Sequence, residues 1–287
     1  MTSLENIRLA VFGPGLLGGS LLHDARALHA LELRVWARRE ESLTALREMG
    51  LADFSSTDAA AVAGGADVLV LCVPVGGMKA LAHQLAASHP AHGAVFTDVG
   101  SVKGMVMREV APVLASAGFT FIGSHPMAGA EKSGLAAARK GLYQGAACLL
   151  TPAPQAPRAA VDRLHTFWQA LGCFTSEMDA AAHDAIVARI SHLPHVAAVL
   201  AALTAFRSGP GGARFAAGGL RDTTRVASGD PDMWSEILLE NREALLPAVR
   251  DLLAAGAQLV AAIESADAAA LRALLAEAQH LRAMRYP

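Results

Sequence analysis

Short apolar runs alternate with helical patterns through the first half of the chain. "IRLAVFG" (7–13) reads as a strand and "LLGGSLLHDARALHA" (16–30) as the helix after it. "LRVWAR" (33–38) reads as a second strand, and "EESLTALREMG" (40–50) as a helix closed by a glycine. "ADVLVLCVP" (66–74) is too continuously apolar to be half exposed, so it reads as a strand buried on both faces. "AVFTDVG" (94–100), "FTFIGSH" (119–125) and "AACLLTP" (146–152) read as further strands. Strands alternating with helices in this way predict βαβ units and a parallel sheet.

"PAPQAPR" (152–158) interrupts the pattern with three prolines in seven residues. Beyond it the periodicity is helical and alanine-rich. One long apolar helix is expected over 181–206, bent near Pro194, a second over 231–265 and a last one over 267–284. The predicted fold class is α/β: a Rossmann-type dinucleotide-binding domain over 1–155, then an all-α substrate and dimerisation domain over 156–287. Such long apolar helices cannot all bury their faces in one small domain, which predicts a homodimer.

Composition narrows the classes. The chain is 53% hydrophobic, so it can build a sizeable core, and its net charge of −2 argues against nucleic acid as a partner. Cys72, Cys148 and Cys173 fit no zinc or disulfide spacing and read as reduced core residues; no metal is expected. No apolar run is expected to approach the ~20 residues of a membrane span. The N-terminus lacks the pattern of a signal peptide. A soluble cytoplasmic protein is the expectation.

"GPGLLGGS" then adds chemistry. Gly13, Gly15 and Gly18 form G-x-G-x-x-G between a strand and a helix, with Leu16 and Leu17 as its spacer. The glycines allow a tight turn, close approach of a pyrophosphate and helix–strand packing, and the helix N-terminus offers N–H groups to phosphate. A carboxylate at the end of the second strand would mark NAD, but Arg38 and Arg39 stand there. Two guanidiniums suit a 2′-phosphate. NADP is therefore favoured over NAD, against the alternative of a solvated basic turn.

Ser101 in "TDVGSVKG" follows one strand end and His125 follows the next, so both are expected at the nicotinamide edge. Ser101 is also a candidate N-cap for a helix starting near Val102. Pro126 holds His125 extended. Hydride removal from an alcohol carbon needs a base for the hydroxyl proton, and histidine suits that role near neutral pH. Ser101 could hold either the imidazole or the substrate hydroxyl.

With "GPGLLGGS", "DVGSVKG", "GSHPMAGAEKSG", "HDAIVARISHLPH" and "TTRVASGDPDMWSEILLEN" in order, the chain resembles the prephenate/arogenate dehydrogenases of tyrosine biosynthesis. The resemblance implies oxidative decarboxylation of prephenate to 4-hydroxyphenylpyruvate, or of arogenate to tyrosine. It implies His125 as the partner of the substrate hydroxyl and Ser101 as its orienter. It further implies Arg225 as a carboxylate anchor, His195 as a substrate-site residue and Glu131 near the pocket mouth. Trp234 matches an aromatic position of the second domain, and Asp184 an acidic position close to the partner subunit's site. His192 reads equally as a core or a site histidine. With the chain ending at Pro287, neither a fused chorismate mutase nor a regulatory ACT domain is expected. Related hydroxyacid dehydrogenases use a lysine base in the second domain, yet no lysine follows Lys140 here. The other rival is a dinucleotide-binding sensor without chemistry.

Overall fold

The computed structural model describes residues 4–130, 132–207 and 215–285. Six strands form a parallel sheet: β1 (Arg8–Phe12), β2 (Glu32–Trp36), β3 (Phe54–Ser56), β4 (Val68–Leu71), β5 (Val95–Asp98) and β6 (Thr120–Phe121). Their order is β3-β2-β1-β4-β5-β6, so the chain reverses direction across the sheet between β1 and β4. In an open α/β sheet that reversal opens a crevice at the C-terminal strand ends. The connecting helices are α1 (Leu16–Ala27), α2 (Glu40–Glu48), α3 (Ala59–Ala63), α4 (Val75–Leu85), α5 (Gly104–Glu109) and α6 (Ala111–Ser116).

Successive strand side chains point to opposite faces, and two cores result. Leu9, Val11, Leu33, Val35, Val68 and Val70 lie in one; Ala10, Phe12, Leu69, Leu71 and Phe96 lie in the other. This double burial is why the strands read as continuous apolar runs.

"FTFIGSH" does not form one strand. β6 ends at Phe121, and β7 (Gly123–Pro126) pairs antiparallel with β8 (Ala147–Thr151), with His125 opposite Leu149. His125 therefore lies inside a strand of a second sheet, and the expectation that it follows a strand of the first is corrected. α7 (Arg158–Ala170) and β9 (Phe174–Glu177) complete that layer, order β7-β8-β9. The boundary expected after residue 155 falls ahead of them. Val161, Leu164, Phe167 and Trp168 of α7 share a core with β1, and the chain divides into two compact units at Asn241/Arg242.

The first unit continues through α8 (Ala180–Val187), a π turn (Ala188–His192), α9 (Leu193–Arg207), α10 (Gly218–Thr224), a 3-10 turn (Arg225–Ser228) and α11 (Pro231–Glu240). The expected bend near Pro194 takes the form of that π turn. Proline has no N–H and its ring crowds the carbonyl four residues back, and a wider turn relieves both. The second unit is α12 (Arg242–Glu264) and α13 (Ala268–Arg285). The single helix expected over 231–265 is thus broken at Asn241, whose amide is buried and engaged by other elements.

The stretches Ala180–Arg207 and Arg242–Glu264 are long and apolar enough to cross a membrane by length and composition alone, which corrects the expectation that no run approaches a span. The first of them carries Asp184 and three histidines with hydrogen-bond partners or ring contacts inside the protein.

Candidate active site

The dinucleotide loop is built by three glycines with different constraints. Gly13 has φ of 105°, a left-handed value that side chains resist, and a Cβ there would lie 2.9 Å from the Cys72 carbonyl oxygen. A Cβ at Gly18 would lie 2.2 Å from the Gly13 carbonyl oxygen. A Cβ at Gly15 would meet nothing within 4 Å, so a bulky anion can approach its backbone. No side chain caps α1 at Gly15, which leaves the first-turn N–H groups of Leu16 and Leu17 to a ligand. These residues fit a pyrophosphate. Arg38 and Arg39 are exposed just after β2, and neither guanidinium has an ion pair or hydrogen bond among the described residues.

β1, β4 and β5 are adjacent and parallel, so Gly13, Pro74 and Ser101 all leave the same sheet edge. Asp98, the last residue of β5, anchors the neighbouring turn. Its Oδ2 accepts from the Gly100 N–H at 2.8 Å and its Oδ1 from the Ser124 N–H at 3.0 Å. The Lys103 ammonium bonds the same carboxylate and the Ser124 carbonyl at 3.0 Å. Lys103 and Asp98 are both fully buried. Burial pushes the lysine pKa down and the Asp98 charge opposes that shift.

α5 starts at Gly104, and its N-cap is Lys103, without a side-chain cap from its own segment. Ser101 is therefore not the N-cap expected of it. The cap comes from Asp184, 80 residues away, whose Oδ1 and Oδ2 accept from the Lys103 and Gly104 N–H groups at 2.8 Å each. A carboxylate at a helix N-terminus stabilises it through both the hydrogen bonds and the dipole. A Cβ at residue 104 would lie 2.7 Å from Asp184 Oδ2, so the glycine admits the cap.

His125 is buried, and its Nδ1 lies 2.9 Å from His183 Nε2. His183 Nδ1 in turn lies 2.8 Å from Asp184 Oδ1. Burial depresses the His125 pKa well below 6.5, and His183, Lys103 and His192 add to the effect. Burial thus favours the neutral imidazole. His183 is also lowered by burial, against the pull of Asp184.

From Asp184 the network runs on. Asn241 donates to the Asp184 carbonyl and to His192 Nδ1, at 3.0 Å each. His192 is pushed down to about 4 by burial, and its Nε2 is a buried donor with no protein partner among the described residues. The ring of Trp234 meets His192 edge-on and stacks on His195, with centroids 3.5 Å apart and planes 9° apart. His195 hydrogen-bonds the backbone of Val226, which places it beside Arg225, and its Nδ1 is a second buried nitrogen without a partner among the described residues. Arg225 lines a cleft of about 540 Å³ with Phe206, Ala217, Arg221, Thr224 and Ser228. His125, Ser101, His195 and Trp234 do not line that cleft.

The structure therefore links His125, Asp184, His192, His195 and Trp234 in one run of contacts that passes through His183 and Asn241, and Arg225 directly precedes Val226, whose backbone His195 bonds. Glu131 lies outside the described residues. Sequence reading missed Asp98, Lys103, His183 and Asn241. Their available signals were a lysine in the "DVGSVKG" turn and a polar His-Asp pair in an otherwise apolar helix.

Two family models match the chain. One is described as prephenate dehydrogenase, nucleotide-binding domain, over residues 30–175, and the other as prephenate dehydrogenase, dimerization domain, over residues 179–277. The first begins after the glycine loop. The chain is 33% identical to the prephenate dehydrogenase of Bacillus subtilis over 82% of this chain and 64% of that one, so the match spans less than two thirds of that relative. It is 32% identical to the cyclohexadienyl dehydrogenase of Zymomonas mobilis over 98% of this chain and 96% of that one. Among solved structures, prephenate dehydrogenase from Aquifex aeolicus, in complex with hydroxyphenyl propionate and NAD+, superposes with a TM-score of 0.88 at 28% identity, covering 98% of this chain and 99% of that one.

Proposed function

Because the chain belongs to the prephenate dehydrogenase family, we propose that it oxidatively decarboxylates prephenate to 4-hydroxyphenylpyruvate, or arogenate to tyrosine, as a step of tyrosine biosynthesis. The observation that carries this reading is a buried neutral His125 beside the turn that follows β5, on the sheet edge that also holds the glycine loop.

A bound nicotinamide dinucleotide supplies the hydride acceptor; Gly13, Gly15, Leu16, Leu17 and Gly18 would hold its pyrophosphate. His125 takes the proton of the ring hydroxyl as hydride leaves the same carbon. The ring carboxylate then departs as CO2, and its bonding electrons complete the aromatic ring. His125 returns the proton to the resulting phenolate oxygen, so the proton is borrowed and not consumed. Ser101 orients the hydroxyl or the imidazole. Arg225 holds a substrate carboxylate, with His195 and Trp234 as the wall beside it. The unpartnered His192 and His195 nitrogens support a polar ligand there, since buried polar atoms are normally hydrogen-bonded.

The reaction is tested by following reduced nicotinamide with prephenate and with arogenate, each with NAD and NADP. Binding of dinucleotide without turnover in any of the four combinations would support the sensor reading instead.

Arg225→Ala is expected to raise KM about ten- to a hundredfold, since a hydrogen bond to a charged group contributes roughly 1.5–3 kcal/mol. An unchanged KM with both substrates rules the anchor out. NADP is the preferred cofactor on this reading, because Arg38 and Arg39 offer guanidiniums where a 2′-phosphate would lie. Arg38→Asp is expected to reverse the preference, repelling the phosphate and accepting from the 2′-hydroxyl. A wild-type enzyme that uses NAD at least as well, with a ratio the substitution does not move, would make Arg38 a surface charge only.

Two copies associate through the helices matched by the dimerization model. Leu253, Val260 and Ile263 on α12 and Leu275, Leu281 and Met284 on α13 are all more than half exposed, which supports a covered apolar face. A cytoplasmic location and the absence of a nucleic-acid or membrane partner follow from the same reading.

A further inference from the structure

We propose that His183 and Asp184 form a positioning relay that locks His125 in a single tautomer, with the proton on Nδ1 and the free lone pair on Nε2. The proposal rests on the reading of His125 as the base. The Asp184 carboxylate can only accept. Its Oδ1 takes the Lys103 N–H and faces His183 Nδ1, and its Oδ2 takes the Gly104 N–H, all at 2.8 Å. Burial disfavours its charge, but the hydrogen bonds from His183, Lys103 and Gly104 outweigh burial and hold the carboxyl below its usual range.

Facing that carboxylate, His183 Nδ1 must carry the proton. A neutral His183 then presents a lone pair at Nε2. His125 Nδ1 lies 2.9 Å from it, and two lone pairs at that distance would repel, so His125 Nδ1 is the donor. The remaining His125 nitrogen, Nε2, has no hydrogen-bond partner among the described residues, and it is not one of the buried unpaired atoms. It is the atom left to accept a proton. The charged and titratable groups around this ring are His183 and Asp184 on α8, His192 in the π turn and Lys103 with Asp98 at the end of β5.

In water either tautomer of imidazole is accessible, and which one forms is set by the hydrogen bond at the other nitrogen. A base held in the wrong tautomer presents N–H where a lone pair is needed.

The test is long-range 1H–15N correlation NMR on protein labelled with 15N-histidine, with the His125 signals assigned from His125→Asn, read beside kcat and KM for His183→Leu and His183→Gln. Wild type should show His125 protonated at Nδ1 above pH 7. His183→Leu removes the acceptor, so His125 should become a tautomer mixture, with kcat falling roughly 10- to 100-fold, the scale of losing a partner that orients a functional histidine, and KM nearly constant. His183→Gln places a carbonyl oxygen where Nε2 was and should restore the Nδ1–H tautomer and most of kcat. A wild-type His125 protonated at Nε2, or a His183→Leu enzyme that keeps both the tautomer and kcat, overturns the relay. Failure of the base reading is separate: it shows as wild-type turnover in His125→Ala, while the spectra still judge the tautomer.

Discussion

Replacing His125 by alanine lowers kcat by roughly 10²–10⁴-fold, the range of general acid–base catalysis, while dinucleotide binding and folding persist. The side chain sits in β7 among hydrogen-bonded strands, and its removal leaves the backbone pairing with β8 intact. The pH profile carries the sign of the assignment. A base works when deprotonated, and burial holds His125 well below 6.5. Wild-type kcat should therefore be flat from pH 8 down past 6.5, falling only at lower pH, and the alanine variant should lose that acidic limb. Near wild-type kcat in His125→Ala at saturating substrate would show that another group takes the proton.

Lys103→Met destabilises the fold by about 3–5 kcal/mol, the range for stripping one partner from a buried ion pair. The ammonium is fully buried against Asp98 and the Ser124 carbonyl. Methionine fills much of the volume but leaves the Asp98 carboxylate with only the Gly100 and Ser124 N–H groups. Adding Asp98→Asn to that variant should recover part of the loss, because the unpaired charge goes with it. Urea unfolding of both variants beside wild type measures this. A loss under about 1 kcal/mol for Lys103→Met would mean that the pair contributes little in its buried setting.

The alternating pattern of the first half of the chain was readable because its causes are local. "GPGLLGGS" needs glycines for its own turn, and "VLVL" of β4 is apolar because both faces are covered. Arg38, Arg39 and His125 stood out for their chemistry at predictable strand ends or motif positions. Their surroundings did not. "FTFIGSH" has one unbroken strand pattern, yet the chain changes sheets at Ile122, and only pairing with β8 decides that.

The N-cap shows the same limit at one residue. Serine ahead of an apolar run is a sound local signal, but the carboxylate that caps α5 arrives from Asp184, 80 residues on, and shifts the helix start to Gly104. Lys103 looks in sequence like any solvated turn lysine; its burial against Asp98 comes from the packing of β5, β7 and α8 around it. Asn241 sits in a continuous helical pattern and breaks it, because its amide bonds Asp184 and His192 from another part of the chain. Sequence by itself determined the dinucleotide fold and the family and singled out His125, the residue proposed as proton acceptor, all in short contiguous motifs. Tertiary structure alone decided which groups surround that residue, because hydrogen bonds and burial between residues 57 to 81 positions apart leave no periodicity to read.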